Sequence, residues 1–400
     1  MKLQIPKDVE YIINKIYDDG YEAFIVGGCV RDCIIGLKPN DYDITTSAKP
    51  NEIMNIFKNE KIIETGIKHG TVTLIKNGIE YEITTYRIDG EYKDNRRPDF
   101  IEFTNDINKD LQRRDFTINA IAYNHRIGII DTFNGISDIY KKTIKTVGKA
   151  DERFNEDGLR IIRAVRFSCK LGFDIEKDTL KSVYKNIKLI KNVSIERIQN
   201  EFNKILLSDS PENLYILYQA GMFDVLNFNS VKINKNELKY IKKSKKDLII
   251  RLSMFTYITG YIEESKNILN IFRYSNKIKK QCSIILDNLD NKIIADKVCI
   301  KLYLNKIGKE NLSYLLYVKK ILKKEFINEN YDEIYEIIND IERNKECYSL
   351  DKLAIDGSDL RALGYAGKDI GQKLDYLLKN VIENPEINNK MDLISIIRDV

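Results

Sequence analysis

Two aspartates one residue apart, Asp41 and Asp43 in "NDYDITT", are the residues of this sequence best suited to holding a metal ion. The stretch has the pattern of a strand, and the alternation of side chains along a strand would put both carboxylates on one face. Carboxylate oxygens suit Mg²⁺, which keeps several waters and takes other ligands from substrate phosphates. A third carboxylate could come from Glu80 or Glu82, with Glu82 favoured because it lies within "EITTYR". The sequence therefore predicts a magnesium site at Asp41 and Asp43.

A glycine pair precedes the aspartates, in "AFIVGGCVRD". Gly27 and Gly28 end an apolar strand and precede a predicted helix, where backbone N–H groups can approach a phosphate closely. Arg31 in the first turn of that helix could add a contact to a triphosphate oxygen. A salt bridge with Asp32 is the alternative explanation for Arg31. An Asp-x-Asp pair alone is common in loops, but after a phosphate-binding turn it favours a nucleotide site.

The stretch "RRDFTINAIAY", residues 113–123, sets two arginines and Asp115 before an alternating apolar strand. A guanidinium here could hold phosphate, and Asp115 could accept a hydrogen bond from a ribose hydroxyl. The alternative is simply a charged start of a strand.

A second arginine-rich stretch, "EDGLRIIRAVRF", is predicted to form one helix. Its charged residues are three apart and would form a slowly drifting stripe: Asp157, Arg160, Arg163 and Arg166. Such a stripe is often a solvated face. Cytosine and adenine, however, share an amino donor beside an unprotonated ring nitrogen, whereas uracil and guanine present the opposite order. Asp157 could accept from the amino group while Arg160 donates to the ring nitrogen, which would select C and A together.

The elements that must position these residues divide the chain into an α/β part and a helical part. Residues 1 to about 145 mix helix and strand periods, including a strand through 42–45, a strand pair joined by the turn "KNGI", and a strand in "FTINAIAY". From Asp151 onwards the pattern is mostly helical. The predicted fold class is α+β, with an N-terminal mixed sheet and flanking helices followed by an all-helical remainder.

Bulk properties narrow the class of protein. Four hundred residues, 43% of them hydrophobic, can form more than one core, which favours two or more domains. A net charge of +5 is mild for a nucleic-acid binder. No stretch has the pattern of a signal peptide or the length of a membrane span, which predicts a cytoplasmic protein with no membrane attachment. Six cysteines without a close pair predict reduced thiols.

Taken together, these motifs resemble those of the bacterial class II tRNA nucleotidyltransferases, the CCA-adding enzymes of the DNA polymerase beta-like nucleotidyltransferase superfamily. "GGCVRD" with "DYDITT" is similar to the family's metal and triphosphate motif, "RRDFTINAIAY" to its ribose motif, and "EDGLRIIRAVRF" to its base-selecting template. "DTFNGISDI", "SIERIQNEFNKIL" and the C-terminal "IDGSDLRALGYAGKDIGQKLDYLL" resemble its hinge, neck and tail elements. The resemblance spans nearly the whole chain.

The resemblance implies a seahorse-like arrangement of a catalytic head (1–145), a nucleotide-selecting neck (146–207), a helical body (208–265) and a tRNA-binding tail (266–400). It implies addition of C, C and A to tRNA 3′ ends from CTP and ATP, by a monomer or homodimer with Mg²⁺ as cofactor. The residues it makes catalytic are Asp41, Asp43 and Arg114, with Asp41 and Asp43 as metal ligands. The residues it places on the nucleotide are Gly28, Arg31, Arg114, Asp157, Arg160, Arg163 and Arg166.

Several related activities remain as alternatives. A complete stretch "RIDGEYKDNRRPDFIEF" favours CCA or A-only addition over CC-only addition, since CC-adding relatives lack a loop there. Bacterial poly(A) polymerases share the head motifs. A glycosyltransferase with an Asp-x-Asp site would explain Asp41 and Asp43 but not the arginines.

Overall fold

A computed structural model of the chain describes residues 1–64, 66–90, 100–228, 231–260, 262–322 and 330–398. The chain forms two compact units. The first consists of Met1–Lys242 with Ile271–Arg273, and the second of Lys243–Asn270 with Tyr274–Val400.

A seven-stranded mixed sheet lies in the N-terminal part of the first unit, in the strand order β3-β4-β5-β2-β1-β8-β9. Strands β2 and β5 pair in parallel, and the other neighbours pair antiparallel. Two further pairs, antiparallel β6 and β7 and parallel β10 and β11, lie outside this sheet. In chain order the strands are β1 (Ala23–Val26), β2 (Ile44–Thr46), β3 (Lys61–Ile63), β4 (Thr71–Lys76), β5 (Ile79–Thr85), β6 (Arg87–Asp89), β7 (Ile101–Phe103), β8 (Ala122–Asn124), β9 (Gly128–Ile130), β10 (Thr143–Ile144) and β11 (Asp174–Ile175).

Helices flank the sheet and fill the rest of the first unit. The first shows why they form, since its apolar residues recur at helical spacing and are fully buried: Val9, Ile12, Ile13 and Ile16. The helices are α1 (Lys7–Asp18), α2 (Gly28–Ile34), α3 (Pro50–Ile56), α4 (Ile107–Gln112), α5 (Gly135–Tyr140), α6 (Ala150–Glu156), α7 (Leu159–Leu171), α8 (Lys177–Asn186), α9 (Ile195–Leu206), α10 (Tyr215–Gln219), α11 (Met222–Val225) and α12 (Lys235–Lys243).

The predicted strand pair with its "KNGI" turn is confirmed by β4 and β5. Asn77 and Gly78 both have positive φ, 52° and 78°. Two successive residues of this kind form the turn whose twist matches an antiparallel hairpin. An Asn-Gly dipeptide accommodates that turn at little conformational cost.

Two strand predictions were too long. The strand predicted over 42–45 begins only at Ile44, although the carbonyl of Asp43 still accepts a hydrogen bond from the backbone of Val26 at 3.0 Å. The alternation in "FTINAIAY" is also interrupted, because Thr117–Asn119 is a turn of 3₁₀ helix and strand β8 starts at Ala122. Both strands therefore begin later than the alternation of their side chains indicates.

The prediction of one helix across "EDGLRIIRAVRF" was wrong at its start. Asp157 has extended backbone angles after α6, and α7 begins at Leu159. The Asp157 side chain accepts a hydrogen bond from the backbone N–H of Leu159 at 3.0 Å. Aspartate favours such local bonds at a helix start, which explains the break. Asp157 therefore lies off the helix that carries Arg160, Arg163 and Arg166.

The second unit is helical throughout the residues described. Buried apolar side chains from its C-terminal helices pack together, among them Leu360, Leu377 and Leu393. The helices are α13 (Leu248–Ile258), α14 (Ile262–Ile271), α15 (Asn276–Asn288), α16 (Lys297–Ile307), α17 (Lys309–Leu322), α18 (Tyr331–Arg343), α19 (Gly357–Ala362), α20 (Lys368–Glu383) and α21 (Lys390–Arg398). The predicted α+β class, a mixed sheet followed by helices, is confirmed.

Candidate active site

A cleft of about 310 Å³ in the first unit brings together most of the predicted site residues. On one side lie Asp41 and Asp43, called the acidic pair below. Facing the same space are Arg31, Arg114, Arg163 and Arg166, called the arginine cluster below. Segments far apart in sequence thus meet around one polar cavity.

The acidic pair lies in the segment just before β2. Within the described part of the chain, no side chain donates a hydrogen bond to either carboxylate or forms an ion pair with it. Burial in the cleft and, after it, the negative charge of Asp41 raise the pKa of Asp43 to about 6. Arg114 acts in the opposite direction, and Glu82 adds a smaller repulsion. Two neighbouring carboxylates with no ion pair to any described residue form an electrostatically unfavourable arrangement that a bound cation would relieve.

The donor set of the acidic pair fits a hard divalent cation. Asp41 and Asp43 offer carboxylate oxygens, the ligands that Mg²⁺ prefers. Among the residues described, no group of three or more His, Cys, Asp or Glu side chains is arranged to hold a metal ion. Glu82, which pairs with Thr73 across the hairpin, is therefore close enough to affect Asp43 electrostatically without completing a ligand set. A cation here would take its remaining ligands from water and substrate.

The glycine pair forms the turn between β1 and α2. Gly27 has a positive φ of 81°. A Cβ built there would lie 3.1 Å from a guanidinium nitrogen of Arg114, closer than most real Cβ contacts. At Gly28 the nearest atom, a guanidinium nitrogen of Arg31, would be 3.6 Å away, an ordinary contact. Gly27, which the site prediction left out, is thus the position where the backbone favours glycine, and a Cβ there would also press on Arg114.

Arg31 is 2% exposed and is held from two sides. Its Nη2 lies 2.6 Å from Oδ1 of Asp32, the salt bridge named above as the alternative explanation. Its Nη1 donates to Oδ1 of Asn119 at 2.5 Å. The salt bridge does not exclude a role of Arg31 in the site, because Arg31 also lines the cavity.

Asn119 connects Arg31 to the next arginine. Its Nδ2 donates to Oδ1 of Asp115 at 3.1 Å, and Oδ2 of Asp115 accepts from Nε of Arg163 at 2.8 Å. Burial opposes ionisation of Asp115, but Arg163 and the hydrogen bond from Asn119 outweigh it and lower the pKa of Asp115 to about 2. Asn119 suits this place because an amide can both accept from a guanidinium and donate to a carboxylate.

Arg166 and Arg114 are held by carboxylates outside the cleft lining. Nε of Arg166 lies 2.5 Å from Oε2 of Glu201 on α9. Burial lowers the pKa of Arg166 to about 10 against the opposing effect of Glu201. Nη2 of Arg114 lies 3.3 Å from Oδ2 of Asp110, while its Nε is buried and finds no acceptor among the described residues. Arg114 therefore has a hydrogen-bond donor to spare.

Three guanidinium groups of the arginine cluster lie close to the aromatic ring of Phe167. The guanidinium carbons of Arg166, Arg31 and Arg163 lie 3.7, 5.2 and 5.3 Å from the ring centroid. The negative face of an aromatic ring attracts guanidinium groups and offsets part of their mutual repulsion. Phe167 was not among the predicted site residues. The one feature of the sequence that pointed to it is its position directly after Arg166.

Comparison with known proteins adds evolutionary relationships to this geometry. A CCA-adding enzyme from Lactobacillus gasseri is 34% identical over 385 residues, covering 95% of this chain and 94% of that protein. One from Staphylococcus haemolyticus is 35% identical, covering 95% and 93%. This chain belongs to the CCA-adding enzyme family. The resemblance inferred from the sequence motifs is confirmed.

Domain families and a solved structure agree with membership of the CCA-adding enzymes. Residues 23–145 match the family described as "Poly A polymerase head domain". Residues 172–227 match "Probable RNA and SrmB- binding site of polymerase A". The crystal structure of the Bacillus stearothermophilus CCA-adding enzyme in complex with CTP superposes with a TM-score of 0.84 at 29% identity, covering 99% of each chain. No described helix is both long and apolar enough to cross a bilayer.

Two site residues predicted for this CCA-adding enzyme family member lie outside the cleft lining. The carboxylate of Asp157 pairs with Arg197 of α9 at 2.7 Å. Arg160 pairs with Glu156 and donates to the carbonyls of Arg153 and Arg113. The donors and acceptors proposed for base selection are thus engaged with protein partners in this structure.

The segment 91–99, which carries most of the predicted flexible loop, lies outside the described residues. The expectation drawn from it, full CCA or A-only addition, remains a prediction.

Proposed function

We propose that this chain adds C, C and A in turn to the 3′ end of tRNA, using CTP and ATP and releasing pyrophosphate, without a nucleic-acid template. The observation that carries the proposal is the cleft itself. It sets an unpaired acidic pair against four ordered arginines, in a chain related over 95% of its length to a CCA-adding enzyme. Carboxylates facing guanidinium groups suit a metal-assisted transfer of a nucleotide from a triphosphate.

In the proposed reaction, the terminal 3′-hydroxyl of tRNA attacks the α-phosphorus of the nucleotide. A new oxygen–phosphorus bond forms as the hydroxyl gives up its proton to solvent, the bond to the β-phosphate breaks, and pyrophosphate leaves with that electron pair. Mg²⁺ held by Asp41 and Asp43 would supply positive charge that favours both the attacking and the leaving oxygen. The protein's own contribution is placement of the reacting groups and neutralisation of charge.

The arginine cluster is suited to hold the triphosphate. Arg31, Arg163 and Arg166 are each fixed by an ion pair, which limits the freedom lost when a phosphate binds. Arg114 lines the cleft, and its Nη1 lies beside the Gly27 turn, which supports a contact of Arg114 with phosphate. Gly28, beside that turn, would contribute its backbone. Asp115 would accept a hydrogen bond from the ribose, as the sequence predicted.

Base selection by Asp157 and Arg160 stays part of the proposal. Their pairing chemistry matches C and A, but the groups are bonded to Arg197 and Glu156. Reading a base would therefore require these ion pairs to be exchanged or shared. The four-part division at 145, 207 and 265, with the tail binding tRNA, and a cytoplasmic location are likewise expectations.

The decisive experiment offers the protein three tRNA substrates, ending before CCA, after C and after CC, with labelled CTP and ATP and MgCl₂. Sequencing the products should show completion to CCA from all three and no further extension. Stopping at CC, adding only A, or making long A tracts would each replace the proposal by CC-only, A-only or poly(A) activity. A reaction without added divalent cation is the matched control and should be inactive.

A further inference from the structure

Asp110 on α4 is a buried carboxylate with no exposed surface, and it does not line the cleft. A carboxylate so placed is costly unless cations and hydrogen bonds compensate it. Its partners come from three separate segments of the first unit. Packing alone does not explain why so many polar contacts converge on this one buried side chain behind the arginine cluster.

The first partners of Asp110 are two neighbouring arginines. Oδ1 accepts from Nε and Nη2 of Arg113 at 2.9 and 2.7 Å. Oδ2 accepts from Nη2 of Arg114 at 3.3 Å. The two oxygens thus serve two different guanidinium groups, which forces Arg113 and Arg114 to turn in defined directions. Arg113 turns towards Asp89, 3.8 Å away, whereas Arg114 turns into the cleft.

The other partners of Asp110 tie together two strands. The hydroxyl of Thr45 lies 3.4 Å from Oδ2 and shares its proton with the carbonyl of Thr84, 3.2 Å away, while Oδ1 accepts from the backbone N–H of Arg87 at 3.4 Å. Thr45 lies on β2, two residues after Asp43. Arg87 is the first residue of β6. The carboxylate therefore links the strand next to the acidic pair, the start of β6, and Arg114.

The charge of Asp110 is required for this arrangement. Burial opposes ionisation, but the charges of Arg113 and Arg114 outweigh it and lower the pKa of Asp110. A neutral amide in its place would present one acceptor oxygen and one NH₂ donor. Because Arg113 and Arg114 approach different oxygens of the carboxylate, one of the two guanidinium groups would then face the NH₂ group, a donor against a donor.

We propose that Asp110 is a positioning residue that directs Arg114 at the triphosphate of the incoming nucleotide. This inference rests on the proposed function. Because the triphosphate is common to CTP and ATP, loss of Asp110 should weaken both nucleotides equally. Because Asp110 acts through Arg114, removing both residues should cost no more than removing Arg114 alone.

The test compares wild type, Asp110→Asn, Arg114→Ala and the double variant in CMP and AMP incorporation. Asp110→Asn should raise KM for CTP and for ATP by the same factor, about tenfold, with kcat changed less than about threefold. The double variant should match Arg114→Ala within about twofold. Asp110→Glu, which keeps the charge but moves the carboxylate by one methylene, should also raise KM, by about threefold.

A matched control separates positioning from stability. Ile107→Val, on the same helix and in a buried apolar cluster of the first unit, should lower the unfolding temperature while leaving KM within about twofold of wild type. If Asp110→Asn fails to fold, the KM values of Asp110→Glu test the positioning role of Asp110 instead. The inference is overturned by an unchanged KM in a folded Asp110 variant, by unequal effects on CTP and ATP, or by multiplying effects in the double variant.

Equilibrium dialysis with labelled CTP separates this inference from the proposed function. If wild type bound CTP but incorporated nothing, the proposed function would fail, and the CTP affinity of Asp110→Asn would still decide the role of Asp110. Weakening by about tenfold would support it, and equal affinity would overturn it.

Discussion

The acidic pair and the arginine cluster share one cleft but are built in opposite ways. The carboxylates of the acidic pair have no partner among the described side chains, and the pKa of Asp43 is raised. Each guanidinium of the cluster is held by its own carboxylate, and the pKa of one of these, Asp115, is lowered. Under the proposed function this contrast is expected: among the described residues, negative charge is left unpaired where a cation would bind, and positive charge is held by ion pairs where phosphate would bind.

The strongest challenge to this comparison is Asp43→Ala. Without its carboxylate the acidic pair could not hold a cation, and incorporation of both CMP and AMP should fall by at least about 1000-fold. Binding of tRNA, measured by gel shift, should stay within about twofold of wild type. The exposed Asp18→Ala is the control and should be fully active. Incorporation above about a tenth of wild type would remove Asp43 from the metal site.

A second test asks whether the base is selected by Arg160, which is not a member of the arginine cluster. Arg160→Ala should reduce the preference for CTP over UTP, and for ATP over GTP, by about 10- to 100-fold in kcat/KM. Lys170→Ala, which removes a cation from the cleft but no base-reading donor, should lower kcat/KM without changing these ratios. An unchanged preference in Arg160→Ala would contradict the assignment.

The lowered pKa of Asp115 gives a third test, which measures the stability of the folded protein. The pKa of Asp115 in the folded protein is about 2, below its ordinary value of 3.8. Its contribution is therefore present above pH 4 and is lost as the pH falls towards 2. Asp115→Asn should lower the free energy of unfolding by about 2 kcal/mol at pH 7, and the difference should shrink on acidification. Urea unfolding at pH 7, 4 and 2.5 measures this, and a difference that grows in acid would refute it.

The smallest expected effect is that of replacing Glu82, whose carboxylate influences the acidic pair. Glu82 influences Asp43 only through its charge, so Glu82→Gln should keep kcat within about threefold of wild type. A loss of 100-fold or more would restore Glu82 as a third metal ligand, the role favoured from the sequence. Steady-state incorporation over a series of MgCl₂ concentrations distinguishes the two cases.

Much of the fold and of the cleft could be predicted because the responsible signals are local. Apolar spacing in α1, the Asn-Gly turn between β4 and β5, and the change from mixed to helical periods each depend on neighbouring residues. The acidic pair and Arg31 were found for the same reason, since a glycine turn, an arginine and an Asp-x-Asp pair lie within one short stretch.

Other parts of the site could not be predicted from local patterns. Asn119 was read as a strand residue, and only its simultaneous contacts with Arg31 and Asp115 give it a role. Glu201 lies 35 residues after Arg166 on another helix. Asp157 was placed on the wrong element because spacing alone does not show where a helix begins.

The residue types and their spacing in the sequence were enough to predict an acidic pair, a set of arginines and the order of sheet and helices. Side-chain type and spacing are sufficient for that, because charge and hydrogen-bonding capacity belong to each residue. Which charges are neutralised follows from the tertiary structure alone. Among the residues it describes, the acidic pair has no ion-pair partner, each arginine of the cluster has a carboxylate, and Asp110 lies behind Arg114. Ion pairing depends on distance and burial, which arise only when distant segments meet.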